Sequence, residues 1–223
     1  MNCARPSPGK GAFCRSGQAV VQWRHTSQNI YEEEKTVHVE LIAIPHYLRG
    51  SGTPEELIEH AGRVCYRSEA RGDASAFVQR RLREGHESII EHASATFEIS
   101  GISRACSHQL VRHRLASYSQ ESQRYVDASN AEFIVPESIS ADPEAKALWD
   151  EFMARARDAY RALRQRGIRK EDCRFLLPNA TATRIVVTMN FRELRHFIKL
   201  RGLNPAAQWE IRELANRILD LVY

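Results

Sequence analysis

A polar stretch from His108 to Tyr125 carries the side chains in this sequence that are best suited to chemistry. It contains three guanidinium groups, two imidazoles, three serine hydroxyls and two phenols. Such a segment is poor material for an apolar core but favours phosphate binding, because arginine donates two parallel hydrogen bonds to phosphate oxygens. The alternative interpretation of this composition is a solvated, basic helix end.

The arrangement of these cations limits what they can bind. Arg112, His113 and Arg114 are adjacent at a predicted helix end, so their side chains point about 100° apart. They cannot all bind one small anion, but they could contact two ligands on different sides of the segment. Ser122 and Arg124 lie further along the chain and could form a second anion clamp on a loop.

The order of these residues is more specific than their composition. An Arg-His-Arg triplet begins at Arg112 and is followed at fixed spacing by Ser117, Ser122 and Arg124. This pattern resembles the signature of the flavin-dependent thymidylate synthases. Further residues fall in that family's order and spacing: His86, Glu87, Ser88, Glu91 and His92 upstream, and Arg174, Leu177, Pro178, Thr183, Arg184, Asn190, Arg192, Leu200, Arg201, Gln208, Trp209 and Glu210 downstream. The resemblance extends over roughly residues 38–220.

Three features depart from the family pattern. Gln120 stands where some members have glutamate, His196 stands where some have asparagine, and the segment 202–207 differs in length. These departures affect local contacts and leave the implied reaction unchanged.

The resemblance implies an enzyme that methylates dUMP to dTMP. It implies FAD as hydride carrier, NADPH as reductant and methylenetetrahydrofolate as carbon donor, in a homotetramer whose active sites are shared between subunits. Because the cofactors carry the organic chemistry, the protein must mainly supply anion clamps, ring-edge donors and orientation. We expect an α/β fold, with a mixed central sheet flanked by helices.

The resemblance also assigns roles to individual residues. Those expected to line the flavin are Ser88, Arg112, His113, Arg114, Leu115, Gln120, Asn190, Arg192 and His196. Those expected to hold dUMP are Gln109, Arg112, Gln120, Glu121, Ser122, Gln123, Arg124, Arg174 and Arg201, and candidates for the folate side are His86 and Tyr125. Arg201 is the expected catalytic residue, because the matching arginine lies at the uracil edge and favours ionisation of ring nitrogen N3.

The cysteines predict a mechanism without a thiol nucleophile. Cys3, Cys14, Cys65, Cys106 and Cys173 form no CxxC pair, which indicates reduced thiols in a cytoplasmic protein. Classical thymidylate synthases attack dUMP with a cysteine, but the polar stretch contains none. Cys106 precedes it by about one helical turn, where a small buried hydrophobe is the expected role.

Two other classes of function account for single features only. A zinc hydrolase could use His86, His92, His108 and His113, but no pair among them has the spacing of a zinc-binding helix motif, so we expect no metal. A nucleic-acid-binding module could use the arginines and tyrosines of the polar stretch. The 28 acidic residues dilute those cations, however, and a net charge of +4 is too small to indicate nucleic acid.

The rest of the chain divides into an arm and one domain. Residues 1–36 contain proline, glycine and an acidic run without sustained periodicity, and we expect a disordered or peripheral arm. Residues 37–223 should form the synthase domain. No stretch approaches the roughly 18 to 20 apolar residues that span a bilayer, so we expect no membrane partner.

Periodicity and end signals predict the elements that position the site. We predict strands at 37–44, 95–100 and 181–189, and helices at 54–67, 74–84, 103–115, 142–166, 170–177, 191–201 and 206–222. Ser88 and Glu91 have the spacing of a capping box. Residues 116–130 should be a loop, and the arginines of helix 142–166 should form a solvated or interface face.

Overall fold

Four strands form one sheet in the order β1-β2-β4-β3 in the computed structural model, which describes residues 37–70 and 72–222. The strands are His38–Ala43 (β1), Ser94–Ser103 (β2), Ala116–Gln120 (β3) and Ala182–Asn190 (β4). The expected α/β class is confirmed. The arm predicted for residues 1–36 lies outside the described residues.

The sheet is antiparallel in all three of its pairings, where a mixed sheet was expected. Its connectivity explains the difference. β2 and β3 run in the same direction, as strands joined by one helix often do. β4 inserts between them and runs the opposite way, pairing Phe97 and Tyr118 with the same residue, Val187.

Helices surround this sheet. They are Pro54–Val64 (α1), Ala74–Arg83 (α2), Arg104–Leu110 (α3), Glu137–Ser140 (α4), Pro143–Gln165 (α5), Lys170–Cys173 (α6), Phe191–Phe197 (α7) and Trp209–Val222 (α8). Short 3₁₀ turns span Glu87–His92 and Arg174–Leu176, and a π-helical turn spans Ile198–Gly202. None of the helices in the described ranges combines the length and apolarity that crossing a bilayer requires.

One face of the sheet carries the main core. Alternate residues of the central strands are fully buried, among them Phe97, Ile99, Ile185 and Val187. They pack in one cluster with apolar residues of α3, α7 and α8. This period-two burial is what a half-covered antiparallel sheet requires. A smaller cluster lies under α1 and α2.

Two sequence-based expectations about local structure are wrong. The segment 116–120 is strand β3 and not a loop, because β4 offers a free edge that pairs with its polar backbone. The predicted capping box of Ser88 and Glu91 does not form; a 3₁₀ turn without a side-chain cap begins at Glu87. The carboxylate of Glu91 instead pairs with Arg192.

The arginines of α5 are also more engaged than expected. Arg157, Arg161 and Arg164 donate hydrogen bonds to the segment 127–131, which follows the polar stretch. Arg155, by contrast, is largely exposed. These three arginines are spaced by three or four residues, so they lie on the same face of α5 and meet the same segment. The expected solvated face of α5 is therefore only partly solvated.

The junction between β2 and α3 is tied to α8 by a buried carboxylate. Glu210 is 2% exposed and accepts hydrogen bonds from the backbone N–H and the Oγ of Ser103, both at 2.6 Å. Ser103 Oγ in turn accepts from the Cys106 N–H at 3.0 Å and so caps α3. One carboxylate therefore satisfies two buried donors and secures the start of a helix.

Removing that carboxylate should destabilise the protein. Glu210→Ala leaves two buried donors of Ser103 without an acceptor, which should cost about 1–3 kcal/mol of unfolding free energy and lower Tm by roughly 2–10 °C. Glu213→Ala is the matched control one turn further along α8, since the ion-pair partner of Glu213 in the described ranges is the partly exposed Arg217. Equal thermal shifts for the two variants would contradict this account.

Candidate active site

The candidate site begins where α3 returns to the end of β4. α3 leaves β2 at Ser103 and runs back across the sheet, so that the chain enters β3 at Ala116, opposite Met189. α7 starts directly after β4, and its first turn is capped by Asn190 Oδ1, which accepts from the Glu193 N–H at 2.9 Å. The end of α3 and the start of α7 therefore meet.

His113 lies at this meeting point and is buried, with 5% exposure. Its Nδ1 is 3.0 Å from Glu193 Oε1, and its Nε2 is 3.3 Å from the Nε of Arg201. The Tyr118 hydroxyl donates to the carbonyls of Leu110 and His113. Burial raises the pKa of Tyr118 to about 12, so this hydroxyl remains a donor at neutral pH.

Burial also determines the charge of His113. Burial lowers the pKa of His113, and Arg201 and His196 act in the same direction, while the hydrogen bond and charge of Glu193 oppose them. The net shift is downward, so the imidazole is neutral at pH 7. A guanidinium can only donate, so Nε2 accepts and Nδ1 carries the proton toward Glu193.

Arg201 lies on the π-helical turn that extends α7. A π turn is rare and shifts the side chains that follow it relative to a regular helix. Gly202 presses this turn against α8: a Cβ there would lie 2.9 Å from Asn216 Oδ1 and 3.3 Å from Ala215 Cβ. Of the three guanidinium nitrogens of Arg201, Nε alone has a hydrogen-bond partner among the described residues. The two terminal nitrogens are therefore available to a ligand.

Acidic residues of the first 3₁₀ turn hold the outer side of α7. Arg192 Nη1 lies 2.5 Å from Glu91 Oε1, and Arg195 pairs with Glu87. Arg192 is half exposed, and the Glu91 carboxylate raises its pKa. Ser88 is exposed between the two glutamates. The predicted flavin residues Ser88 and Arg192 therefore lie on neighbouring elements.

The second half of the polar stretch forms a different group. Arg124 Nε lies 3.3 Å from Glu171 Oε2, and Arg174 Nε donates to the Glu171 carbonyl at 3.2 Å. Arg104 Nη2 donates to the Glu121 carbonyl at 2.6 Å. Burial lowers the pKa of Arg104, and Arg174 lies near enough to Arg104 for its charge to lower that pKa further. Glu171 therefore contacts two of three neighbouring guanidinium groups.

The Gln120 side chain links α3 to β4. Its Nε2 donates to Ser107 Oγ at 2.8 Å and to Thr183 Oγ1 at 3.3 Å. Only its Oε1 therefore remains available to a ligand. A cavity of about 310 Å³ opens nearby, lined by Glu121, Gln123, Arg184 and residues between Val126 and Glu132.

Several predicted site residues are presented at the surface. Arg112 and Arg114 are exposed, and neither guanidinium has a hydrogen-bond partner in the part of the chain that the structure describes. Leu115 is 70% exposed and Tyr125 is 72% exposed. His86 and His196 are exposed as well, whereas Gln109, Ser122 and Gln123 are half-buried.

The predicted residues thus fall into two groups within one chain. The first surrounds His113 and includes His196 and Arg201. The second surrounds Glu171 and includes Arg124 and Arg174. Over residues 37–70 and 72–222, no hydrogen bond or ion pair joins the first group to the second.

Sequence reasoning missed three residues of these groups. Glu171 and Arg104 carried no signal beyond their charge. Glu193 stands three residues after the capping Asn190, a spacing that marks the first turn of a helix. That spacing does not reveal that its carboxylate turns inward, where it is 7% exposed.

The Cys106 thiol is unsuited to nucleophilic attack. Its side chain is fully buried, and that burial, reinforced by Glu210, raises its pKa well above the usual thiol range. A protonated, enclosed thiol is not reactive, which agrees with the sequence-based expectation. No cluster of three or more His, Cys, Asp or Glu side chains within the described ranges could hold a metal ion.

Comparison with known proteins places the chain in a family. Residues 48–223 match the family model described as thymidylate synthase complementing protein, Thy1. A flavin-dependent thymidylate synthase of Geobacter sulfurreducens is 50% identical over 186 residues, covering 78% of this chain and 80% of the relative. One of Pyrococcus furiosus is 47% identical over 180 residues, covering 75% and 73%. The chain therefore belongs to the Thy1 family, the thymidylate synthase complementing proteins.

Proposed function

We propose that this protein is a flavin-dependent thymidylate synthase. It methylates dUMP to dTMP with methylenetetrahydrofolate as carbon donor and NADPH as reductant. The observation that carries the proposal is the placement of Arg201. In a chain about half identical to relatives of that name, this cation is held by a buried, neutral His113 while its terminal nitrogens stay unpaired among the described residues.

The side chains around α3 and α7 fit an FAD molecule. Arg112 and Arg114 present unpaired guanidinium groups suited to a pyrophosphate, and Ser88, Leu115 and His196 are exposed and available for contact. When bound, FAD supplies the hydride. Asn190 and Gln120 would each contact it through the side-chain atom that has no partner among the described residues, Nδ2 and Oε1 respectively.

His113 contributes to the flavin side in a more indirect way. Both of its ring nitrogens already have protein partners, Glu193 and Arg201. It therefore supports the flavin pocket and orients Arg201, and it does not donate to the flavin itself. Arg192, paired with Glu91 at the rim, would complete the pocket.

The dUMP monophosphate fits the cations around Glu171. Arg124 pairs with the carboxylate of this glutamate and Arg174 donates to its carbonyl, while Ser122 Oγ accepts from the Arg124 N–H. Two guanidinium forks and a hydroxyl match a phosphate dianion. Gln109, Glu121 and Gln123 are placed along the same stretch for sugar and base contacts.

Arg201 acts at the uracil edge. A fixed guanidinium there stabilises the ring anion that forms when N3 loses its proton, and in a site closed to water this electrostatic effect is large. Positive charge beside N3 lowers the proton affinity of the ring. No protein nucleophile is needed, which agrees with the buried state of Cys106.

The folate side is assigned to His86 and Tyr125. Both rings are exposed, and the Tyr125 backbone carbonyl accepts from Lys170 Nζ at 2.8 Å. Exposed aromatic rings can stack on a flat pterin. The location of the enzyme in the cytoplasm, where reduced thiols persist, is part of the same proposal.

We also propose a homotetramer with active sites shared between subunits. Two observations support it. No hydrogen bond or ion pair over residues 37–70 and 72–222 joins the residues around His113 to those around Glu171. Leu115 and Phe175, one in the polar stretch and the other next to Arg174, are 70% and 83% exposed, and a subunit that covered them would remove large apolar side chains from water.

The direct test is turnover by the purified protein. We expect a flavin absorption spectrum, and we expect dTMP from dUMP, methylenetetrahydrofolate and NADPH without added dihydrofolate reductase. Colourless protein that binds neither FAD nor dUMP in titrations would refute the proposal.

Arg201→Ala should reduce kcat for dTMP formation at least about 100-fold, because one preorganised electrostatic contact to a developing anion contributes that much. Cys106→Ala is the contrasting variant and should keep nearly full activity, since the thiol is enclosed in the core. An inactive but folded Cys106→Ala enzyme would overturn the mechanism.

Shared sites can be tested by subunit mixing. Arg174→Ala and Arg201→Ala chains should each be inactive alone. Co-expressed in equal amounts, they should recover about a quarter of wild-type activity, since one site in four combines two intact arginines by chance when different subunits supply them. No recovery in mixed oligomers of confirmed composition would place both arginines of a site on one subunit.

A further inference from the structure

We propose that Glu193 is a positioning residue of this enzyme: its carboxylate holds His113 in the one tautomer that can accept a hydrogen bond from Arg201. The inference rests on the proposed function, because it assumes that Arg201 acts on dUMP. It assigns a role to a buried acid that neither the signature pattern nor the expected ligand contacts include.

Two consecutive hydrogen bonds link three side chains from three segments of the protein. Glu193 Oε1 lies 3.0 Å from His113 Nδ1, and His113 Nε2 lies 3.3 Å from Arg201 Nε. Glu193 comes from the first turn of α7, His113 from the end of α3, and Arg201 from the π turn. The imidazole therefore connects a carboxylate to a guanidinium whose other end is free in the described part of the chain.

The donors and acceptors of these three side chains determine which ring nitrogen of His113 carries the proton. Arg201 has only donors, so His113 Nε2 must offer its lone pair. The ring proton is then on Nδ1 and needs an acceptor, which Glu193 supplies. In the other tautomer, an N–H on Nε2 would face the Arg201 N–H, and the contact that orients the guanidinium would be lost.

Among the residues that the structure describes, Nδ1 of His113 has no hydrogen-bond partner other than Glu193. The groups packed against the His113 ring are Glu193, His196 and Phe197 of α7, together with Arg201 of the π turn. Tyr118 of β3 donates to the His113 carbonyl and not to the ring. Glu193 is the single anion among them, and both it and His113 are almost fully buried.

Two conservative variants of Glu193 distinguish the effect of its hydrogen bond to His113 from the effect of its negative charge. Glu193→Gln removes the charge but keeps a carbonyl oxygen at the same reach, so it should retain kcat within about 3-fold of wild type. Glu193→Asp keeps the charge but withdraws the oxygen by about one methylene. A displacement of that size can cost about 10- to 100-fold in kcat when it moves a catalytic group. We expect the KM for methylenetetrahydrofolate to change little in both variants.

The controls are the same substitutions at Glu59. This residue is also a buried glutamate paired with one cation, Arg63 at 2.7 Å, but it lies on α1 and contacts neither His113 nor Arg201 through a hydrogen bond or ion pair among the described residues. Glu59→Gln and Glu59→Asp should leave kcat unchanged. Tm measured for all four variants shows whether any loss of rate follows from loss of fold.

A binding cycle tests whether Glu193 acts through Arg201. dUMP affinity is measured by isothermal titration for Glu193→Asp, Arg201→Ala and the double variant. If Glu193 works by orienting Arg201, the double variant should bind dUMP as Arg201→Ala does. Additive losses, or a Glu193→Asp enzyme that is faster than Glu193→Gln, would overturn the inference. A wild-type protein that makes no dTMP would instead refute the proposed function.

Discussion

The antiparallel pairing of β2 with β4 is the constraint on which the rest of this structure depends. Ser94 pairs with Asn190 and Ser103 with Ala182, so each strand ends beside the start of the other. Ser103 and Asn190 then cap helices that fold onto the same face. Because α3 returns along the sheet to the end where α7 begins, two segments that are distant in sequence are forced together.

That arrangement places polar groups at the edge of an apolar core. Burying a carboxylate and an imidazole has a cost in desolvation, which hydrogen bonding must offset. The hydrogen bond between His113 and Glu193 offsets this cost, and Arg201 donates to the second ring nitrogen of His113. The result is a cation held in a single orientation by groups that are themselves confined, which is the preorganisation that electrostatic catalysis needs.

The phosphate side is built differently. Its arginines lie on exposed or half-buried segments after β3 and near α6, where solvent weakens each ion pair. Rigidity there comes from α5, whose arginines bind the segment that follows the polar stretch. The separation of this group from the one around His113 is the physical basis for proposing that a complete site needs more than one subunit.

The sequence by itself determined the local elements and the chemical character of the site. Capping residues and apolar periodicity placed α1, α2 and α5 within a few residues, since a helix end depends on contacts made inside its own first turn. The order of residues from Arg112 to Arg124 identified the family, since ligand-binding side chains are constrained in type and spacing. The tertiary structure alone decided that 116–120 is a strand and that Glu193 faces His113. Both depend on a partner that is 65 residues or more away in sequence, and no local pattern encodes which partner a polar segment will meet.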